Sequence, residues 1–126
     1  MQNLNLISGG IVDAAVHVHS RLGPGLLESV YESVLAYELQ KRGLKVERQV
    51  PVPVVYDDLH FEEGFRADLI VENAVIVELK SVETIVPVHS KQLMTYLKLM
   101  DRRLGLLINF GAPLLKDGIR RIANQL

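Results

Sequence analysis

The chain has 126 residues, a length that fits one domain spanning 1–126, and it is 48% hydrophobic and 23% charged, which excludes a disordered tail, a collagen-like fibre and a low-complexity linker. It has no cysteine, which excludes a disulfide framework, a thiolate zinc site and a cysteine nucleophile. The net charge of −1 hides an uneven spread: residues 1–86 hold 7 Lys/Arg against 13 Asp/Glu, and residues 87–126 hold 7 against 2. An acidic majority with a basic C-terminal third suits a cation site beside an anion-binding surface. No apolar run approaches the roughly 18 residues that span a bilayer. Met1 to Gly10 carries no positive charge ahead of its apolar residues. The expected location is therefore the cytoplasm, with no membrane partner.

In chain order, Ile11 to Leu22 shows apolar residues at helical spacing, and Gly23-Pro24-Gly25 stops it. A second helix is expected from about Leu26 to Arg42, capped by Gly43, with Lys41 and Arg42 suited to the negative end of its dipole. Val46 to Tyr56 is Val-rich and reads as a strand, pushed toward a sheet edge by Pro51 and Pro53. Asp57-Asp58 marks a turn. Leu59 to Phe61 resumes an extended pattern, Glu62-Glu63-Gly64 loosens it, and Phe65 to Val71 is a strand. Glu72-Asn73-Ala74 turns the chain into a further strand, Val75 to Val82. Pro87 suits a helix start, with a helix over His89 to Asp101. Leu104 to Phe110 reads as a buried strand, and Lys116 to Asn124 as a last basic helix. The pattern is that of a mixed α/β domain with an antiparallel hairpin at its centre.

The chemistry concentrates in Arg66-Ala67-Asp68 and Glu78-Leu79-Lys80. Strand side chains alternate faces, so Asp68 is expected to share a face with Arg66 and Ile70, and Glu78 with Lys80. A three-residue turn pairs Val71 with Val75 and sets Asp68 opposite Glu78 on one face; a two-residue turn would separate them. The three-residue register is the one expected here. Adjacent carboxylates repel unless a cation or proton intervenes, and hard oxygen ligands suit Mg²⁺ or Mn²⁺. Lys80 would lie close enough to orient a water or offset charge on a phosphate. Such a set suits metal-assisted phosphodiester hydrolysis.

On the second helix, Leu27, Val30, Tyr31 and Val34 define an apolar face with Glu28 at its rim, while Glu32 is expected further toward solvent. Glu28 is therefore the better acidic candidate. Gln92 and Tyr96 stand four apart on one face of the later helix, flanked by Lys91 and Lys98, and can hydrogen-bond a phosphate or a bound water. His17, His19, His60 and His89 show no zinc-like spacing.

Gly25-x-x-Glu28-x-x-Tyr31, Arg66-Ala67-Asp68, Glu78-Leu79-Lys80, Gln92-x-x-x-Tyr96 and Gly105 to Gly111, in this order, resemble the GxxExxY family of small bacterial proteins, which is similar to the PD-(D/E)XK nuclease superfamily. The resemblance covers roughly residues 8–124. It implies a restriction-endonuclease-like αβββαβ core, a central mixed sheet flanked by helices. It also implies metal ligation by Asp68, Glu78 and the Leu79 carbonyl, with Glu28 in the place of the helical acidic residue and Lys80 in that of the lysine. Gln92 and Tyr96 match the Gln-x-x-x-Tyr motif of some nuclease branches. Ala67 stands where the signature often has proline.

The reading that results is a Mg²⁺-dependent (or Mn²⁺-dependent) nuclease. Asp68 and Glu78 hold the metal, Glu28 assists, Lys80 aligns the attacking water and Gln92 helps orient it. Tyr96, Lys91, Lys98, Arg102, Arg103, Lys116, Arg120 and Arg121 would meet nucleic acid, DNA ahead of RNA. Cutting two strands would take a homodimer. The alternatives are a non-catalytic nucleic-acid-binding or assembly module that keeps the fold, and a hydrolase acting on another phosphoester.

Overall fold

A computed structural model describes residues 3–126; Met1 and Gln2, at the start of the Met1 to Gly10 stretch noted above for its lack of positive charge, lie outside the described residues. Asn3 opens the first helix, its side-chain oxygen accepting the Leu6 N–H at 3.1 Å. That bond satisfies one of the donors a helix start leaves bare. Helix α1 runs Leu4–Leu22, beginning well before the expected Ile11. Gly9 and Gly10 lie inside it, because burial of Ile7 and Ile11 on one stripe outweighs the entropy two glycines lose. Helix α2 is Glu28–Lys41, and Gly43 follows it with φ 88°, the left-handed stop expected there.

Strands β1 (Val46–Tyr56) and β2 (Leu59–Val71) form a long antiparallel hairpin. Strand β2 is continuous through Glu62–Gly64, where the sequence suggested a break. The hairpin absorbs the irregularity as a register shift between Val52 and Val54. Gly64 permits it: a Cβ there would fall 2.1 Å from Val54 Cγ2.

Strand β3 (Val75–Lys80), helix α3 (Pro87–Met100) and strand β4 (Leu104–Asn109) follow. The expected C-terminal helix does not form. A 3-10 turn (Leu115–Gly118) leads instead into strand β5, Ile119–Ala123. Ile-Arg-Arg-Ile has helical spacing, yet as an edge strand it gives each face of the sheet one isoleucine: Ile119 packs with the α1/α2 core and Ile122 with the α3 core.

The sheet order is β1-β2-β3-β4-β5, antiparallel except for the parallel β3–β4 pair that α3 bridges. Helices α1 and α2 cover one face around Leu69, Val77, Leu79 and Leu106; α3 covers the other around Ile70, Ile76 and Leu107. The chain is thus an α/β protein with a mixed five-stranded sheet between helices. Covered on both sides, β3 reads as an unbroken apolar run. That makes Glu78, only 9% exposed within it, an outlier to be explained.

Candidate active site

Strand β3 is held differently on its two sides. Toward β4 it pairs over its whole length, Val75 with Leu104 through Lys80 with Asn109. Toward β2 the pairs are Val71–Val75, Ile70–Ile76 and Leu69–Val77, and there the ladder stops. This is the even register, with Asp68 next in line opposite Glu78. The turn that sets it takes left-handed backbone at Glu72 (φ 53°) and Asn73 (φ 52°). Glu72 is secured by two bonds to Lys45: its N–H donates to the Lys45 carbonyl at 2.8 Å, and its carboxylate accepts the Lys45 N–H at 2.7 Å.

Where the ladder stops, side chains take over. Asp68 Oδ2 accepts the Leu79 N–H at 2.8 Å, and Glu78 Oε1 accepts the Asp68 N–H at 3.4 Å. Two carboxylates thus replace two carbonyls at a fork between strands. In an extended strand the N–H and C=O of one residue project to the same side. The Leu79 carbonyl therefore faces the fork too, beyond the last β2–β3 pair. Burial pushes the Glu78 carboxyl up from 4.5 to about 9, the Asp68 charge adds to this, and Lys80 opposes it.

The expected strict alternation of faces fails at this point. Ala67 packs with Ile70, Ile76 and α3, whereas Leu69 and Val71 pack with α1 and α2. The flip occurs opposite Gln49, whose backbone is left-handed (φ 49°) and which drops out of the β1–β2 pairing between Arg48–Leu69 and Val50–Ala67. Asp68 is thereby aimed at the gap between strands and not at one face of the sheet.

The acidic residues of α2 are placed the other way round from the expectation. Glu32 is only 7% exposed, and Glu28 is exposed, as are Leu27 and Val30 of the expected apolar face. Helix α2 instead buries Tyr31, Glu32, Leu35, Ala36, Glu38 and Leu39. The reason is tertiary. Arg48 Nη2 lies 3.0 Å from Glu32, Gln49 also donates to it, and Glu38 is met by Arg42 at 3.3 Å and His17 at 3.9 Å. Buried carboxylates with such partners are tolerated. Glu28 still reaches the site region: it lines a cavity of about 360 Å³ with Ser29, Glu32, Gln49, Asp68 and Leu79. An adjoining cavity of about 700 Å³ shares Glu28 and Ser29 and extends to Ser81, Glu83 and Gly111. Tyr31 fixes this wall, its hydroxyl donating to the Gly23 carbonyl and accepting the Leu26 N–H at 3.2 Å, while Ser81 Oγ donates to the Leu26 carbonyl at 2.6 Å.

From α3, Tyr96 stacks on Phe65 with ring centroids 4.0 Å apart. Its hydroxyl is pushed up by burial and then by the charges of Glu78 and Asp68, which places it beside the fork. Gln92 and Lys91 are exposed on the same helix, and Lys98 is exposed two residues beyond Tyr96, about 200° round the helix from it. His89 serves the helix, its Nδ1 accepting the Val86 N–H at 3.3 Å.

The arginines do not gather here. Arg102 donates to the Met100 carbonyl and to Asn73, and Arg103 to the Gln125 carbonyl. Both precede Leu104, which pairs with Val75 at the end of β3 away from Lys80, roughly 17 Å off at strand rise. Arg121 binds Asn5 and lines, with Arg103, a separate cavity of about 920 Å³. Arg120 sits in the row Arg120–Leu107–Glu78, two strands from the fork. Lys116 lies exposed on the 3-10 turn.

The donor set is hard and oxygen-only: two carboxylates, a main-chain carbonyl and Glu28 on the cavity wall. Among the described residues no group of three His, Cys, Asp or Glu forms a ready cage for a metal. A small dication such as Mg²⁺ does not require one, because it keeps several waters and takes one or two carboxylates plus substrate phosphate. The fork fits that demand.

The sequence model of the PD-(D/E)XK nuclease superfamily matches residues 5–122. The chain belongs to that superfamily. Comparison with curated proteins and with solved structures gives no significant match. Among the described residues no helix is long and apolar enough to cross a membrane.

Proposed function

We propose that this PD-(D/E)XK domain is a one-domain, Mg²⁺-dependent (or Mn²⁺-dependent) nuclease that hydrolyses phosphodiester bonds, DNA ahead of RNA, in the cytoplasm. The supporting observation is the meeting of the Asp68 and Glu78 carboxylates where β2 and β3 part. Asp68, Glu78 and the Leu79 carbonyl would hold the ion, with Glu28 reaching it from the opposite wall. When bound, such an ion supplies Lewis-acid polarisation of the phosphate and a more acidic water.

The remaining steps fall to side chains of this chain. The Lys80 ammonium, close enough to Glu78 to oppose its raised pKa, orients the attacking water and offsets charge building on the phosphate oxygens. Gln92 helps hold that water. Lys91, Lys98, Tyr96 and Arg120 form the contact surface for the phosphate backbone. Arg102, Arg103 and Arg121 are drawn away from it, to Asn73, Gln125 and Asn5, whereas Arg120 bonds the neighbouring Asp117 and Ile119 carbonyls in the row of Glu78. A two-fold pair of such domains would present one fork to each strand of a duplex.

The test is cleavage of labelled single- and double-stranded DNA and RNA with and without Mg²⁺. Asp68→Ala and Lys80→Ala are expected to abolish metal-dependent cutting while the fold survives; equal cutting by both variants would assign the activity to a contaminant. Replacing Lys91 and Lys98 with alanine should lower the slope of log affinity against log salt by about one each.

A second reading, a binding or assembly module without turnover, is favoured by the outer hairpin, where Val55, Tyr56, Leu59 and Phe61 are all more than half exposed. A melting temperature indifferent to millimolar Mg²⁺ and Mn²⁺ would favour it over the nuclease.

A further inference from the structure

Gln49 breaks the geometry of its strand. Its φ of 49° is left-handed, a region an unbranched L-residue occupies only at steric cost, yet it lies inside β1. The pairs on either side, Arg48–Leu69 and Val50–Ala67, are regular, so the distortion is confined to Gln49 and the residue it faces, Asp68. In a regular strand Arg48 and Gln49 would point to opposite faces. Here both reach the same carboxylate, Glu32 of α2.

The consequence is a short chain of bonds. Arg48 clamps Glu32 Oε2 through Nη2 at 3.0 Å and Nε at 3.3 Å. Glu32 Oε1 accepts the Gln49 carboxamide, and the same Nε2 donates to Asp68 Oδ1 at 3.3 Å. The other Asp68 oxygen accepts the Leu79 N–H at 2.8 Å. Asp68 is therefore gripped by one donor from each neighbouring strand. A carboxylate fixed at both oxygens cannot spin, and its remaining lone pairs keep one direction. An amide donor set between Glu32 and Asp68 also separates two negative groups that would otherwise confront each other.

We propose that Gln49 is a positioning residue for Asp68, anchored by the Glu32–Arg48 pair, and that its strained backbone persists because only that conformation delivers the carboxamide to both carboxylates. Strain held at a site that would relax elsewhere is a recurrent sign of function. The inference rests on the reading of Asp68 as a metal ligand. It assigns the buried glutamate of α2 to holding the site together and leaves the exposed one, Glu28, to face the ion. Outer-shell partners of this kind tune affinity without touching the ion.

The test uses the full chain and two variants, Gln49→Ala and Gln49→Gly. Both remove the carboxamide; only glycine also relieves the backbone. In the metal-free protein, hydrogen exchange of the Leu79 amide should quicken about tenfold or more in both variants, since its acceptor is no longer held, while the Val77 amide two residues back is unchanged. The glycine variant should melt above the alanine variant. Calorimetric Mn²⁺ affinity should fall by about 10–100-fold in both. Unchanged Leu79 exchange in both variants, or Mn²⁺ affinity equal to that of the native chain, overturns the positioning role. Failure of the native chain to bind Mn²⁺ at all overturns the metal reading on which it stands, and the Leu79 measurement tells the two failures apart.

Discussion

The two flanks of β3 meet the same problem and solve it with different chemistry. Beyond the β4 ladder, Asn109 continues the pairing with its side chain: Oδ1 accepts the Val82 and Gly111 N–H groups at 3.0 Å each, and Nδ2 donates to the Val82 carbonyl at 2.9 Å. Beyond the β2 ladder, Asp68 and Glu78 accept the Leu79 and Asp68 N–H groups. An amide is neutral and both gives and takes hydrogen bonds, so it seals its flank; Asn109 is 2% exposed. Asp68 only accepts and carries charge, and the Glu78 carboxyl beside it is raised to about 9, so this flank is satisfied toward the backbone and can exchange a proton for a cation toward the cleft. The difference shows how one strand can be finished for stability on one side and left open for chemistry on the other.

Exchanging the two chemistries is the most direct way to break the comparison. Asn109→Asp removes the donor to Val82 and puts an unpaired charge in the interior, so it should cost about 3–5 kcal/mol, read as a lowered midpoint of urea unfolding. The reverse change, Asp68→Asn, keeps an acceptor for the Leu79 N–H and removes the charge that presses on Glu78. Its amide nitrogen then faces the Gln49 carboxamide donor, so the metal-free form should lose about 1–3 kcal/mol, less than Asn109→Asp, while Mg²⁺-dependent cleavage falls by more than about a hundredfold, beyond the loss that even outer-shell partners cause. A loss for Asp68→Asn as large as that for Asn109→Asp would mean that the fork is built like the sealed flank.

The raised Glu78 carboxyl gives the fork a pH signature that the Asn109 flank lacks. In the folded protein Glu78 keeps its proton up to about 9, whereas an unfolded chain releases it near 4.5. Between those values the folded state binds the extra proton, so this group's contribution is fully present below about 4.5 and is lost as pH rises toward about 9. Metal-free stability, followed by denaturant melts across that window, should decline with rising pH. Glu78→Gln should flatten the decline, and Mg²⁺ should stabilise the native chain more at the alkaline end, where it no longer has to displace a proton.

The half of this site that was legible in the sequence depends on counting, and the other half depends on contacts. The Asp68–Glu78 pair follows from a turn length and the two-residue period of strands, and the structure keeps that register. It needed no glycine in the turn, because Lys45 holds Glu72. The roles of Glu28 and Glu32 were not legible by the same means. Helical arithmetic counts a glutamate as solvent-facing, and the partners that reverse this, Arg48 and Gln49, are 16 and 17 residues away in β1. One local signal was present: Glu47-Arg48-Gln49 interrupts a Val-rich strand with three polar residues in a row, which no half-buried strand needs. The C-terminal strand was hidden for a different reason, since two isoleucines three apart fit a helix or an edge strand covered on both faces equally well.

The smallest effect expected sharpens the comparison by moving away from β3 altogether. The outer part of the β1–β2 hairpin extends past the register shift at Val52–Val54 and exposes Tyr56, Leu59 and Phe61. At Gly64 an added Cβ would fall 2.1 Å from Val54 Cγ2 and 2.7 Å from its Cβ, so Gly64→Ala must push Val54 aside. Val54 is only half-buried, so the strand can yield, and the cost should lie near the low end for overpacking, about 1 kcal/mol. The fork is fastened separately, through Gln49, Leu79 and Glu32 at the inner end of the hairpin. Gly64→Ala should therefore lower the melting temperature slightly while leaving Leu79 amide exchange and Mn²⁺ affinity unchanged. If either moved with the arm, the hairpin would have to be one mechanical unit from its tip to Asp68, and the site could not be ascribed to the two flanks of β3 alone.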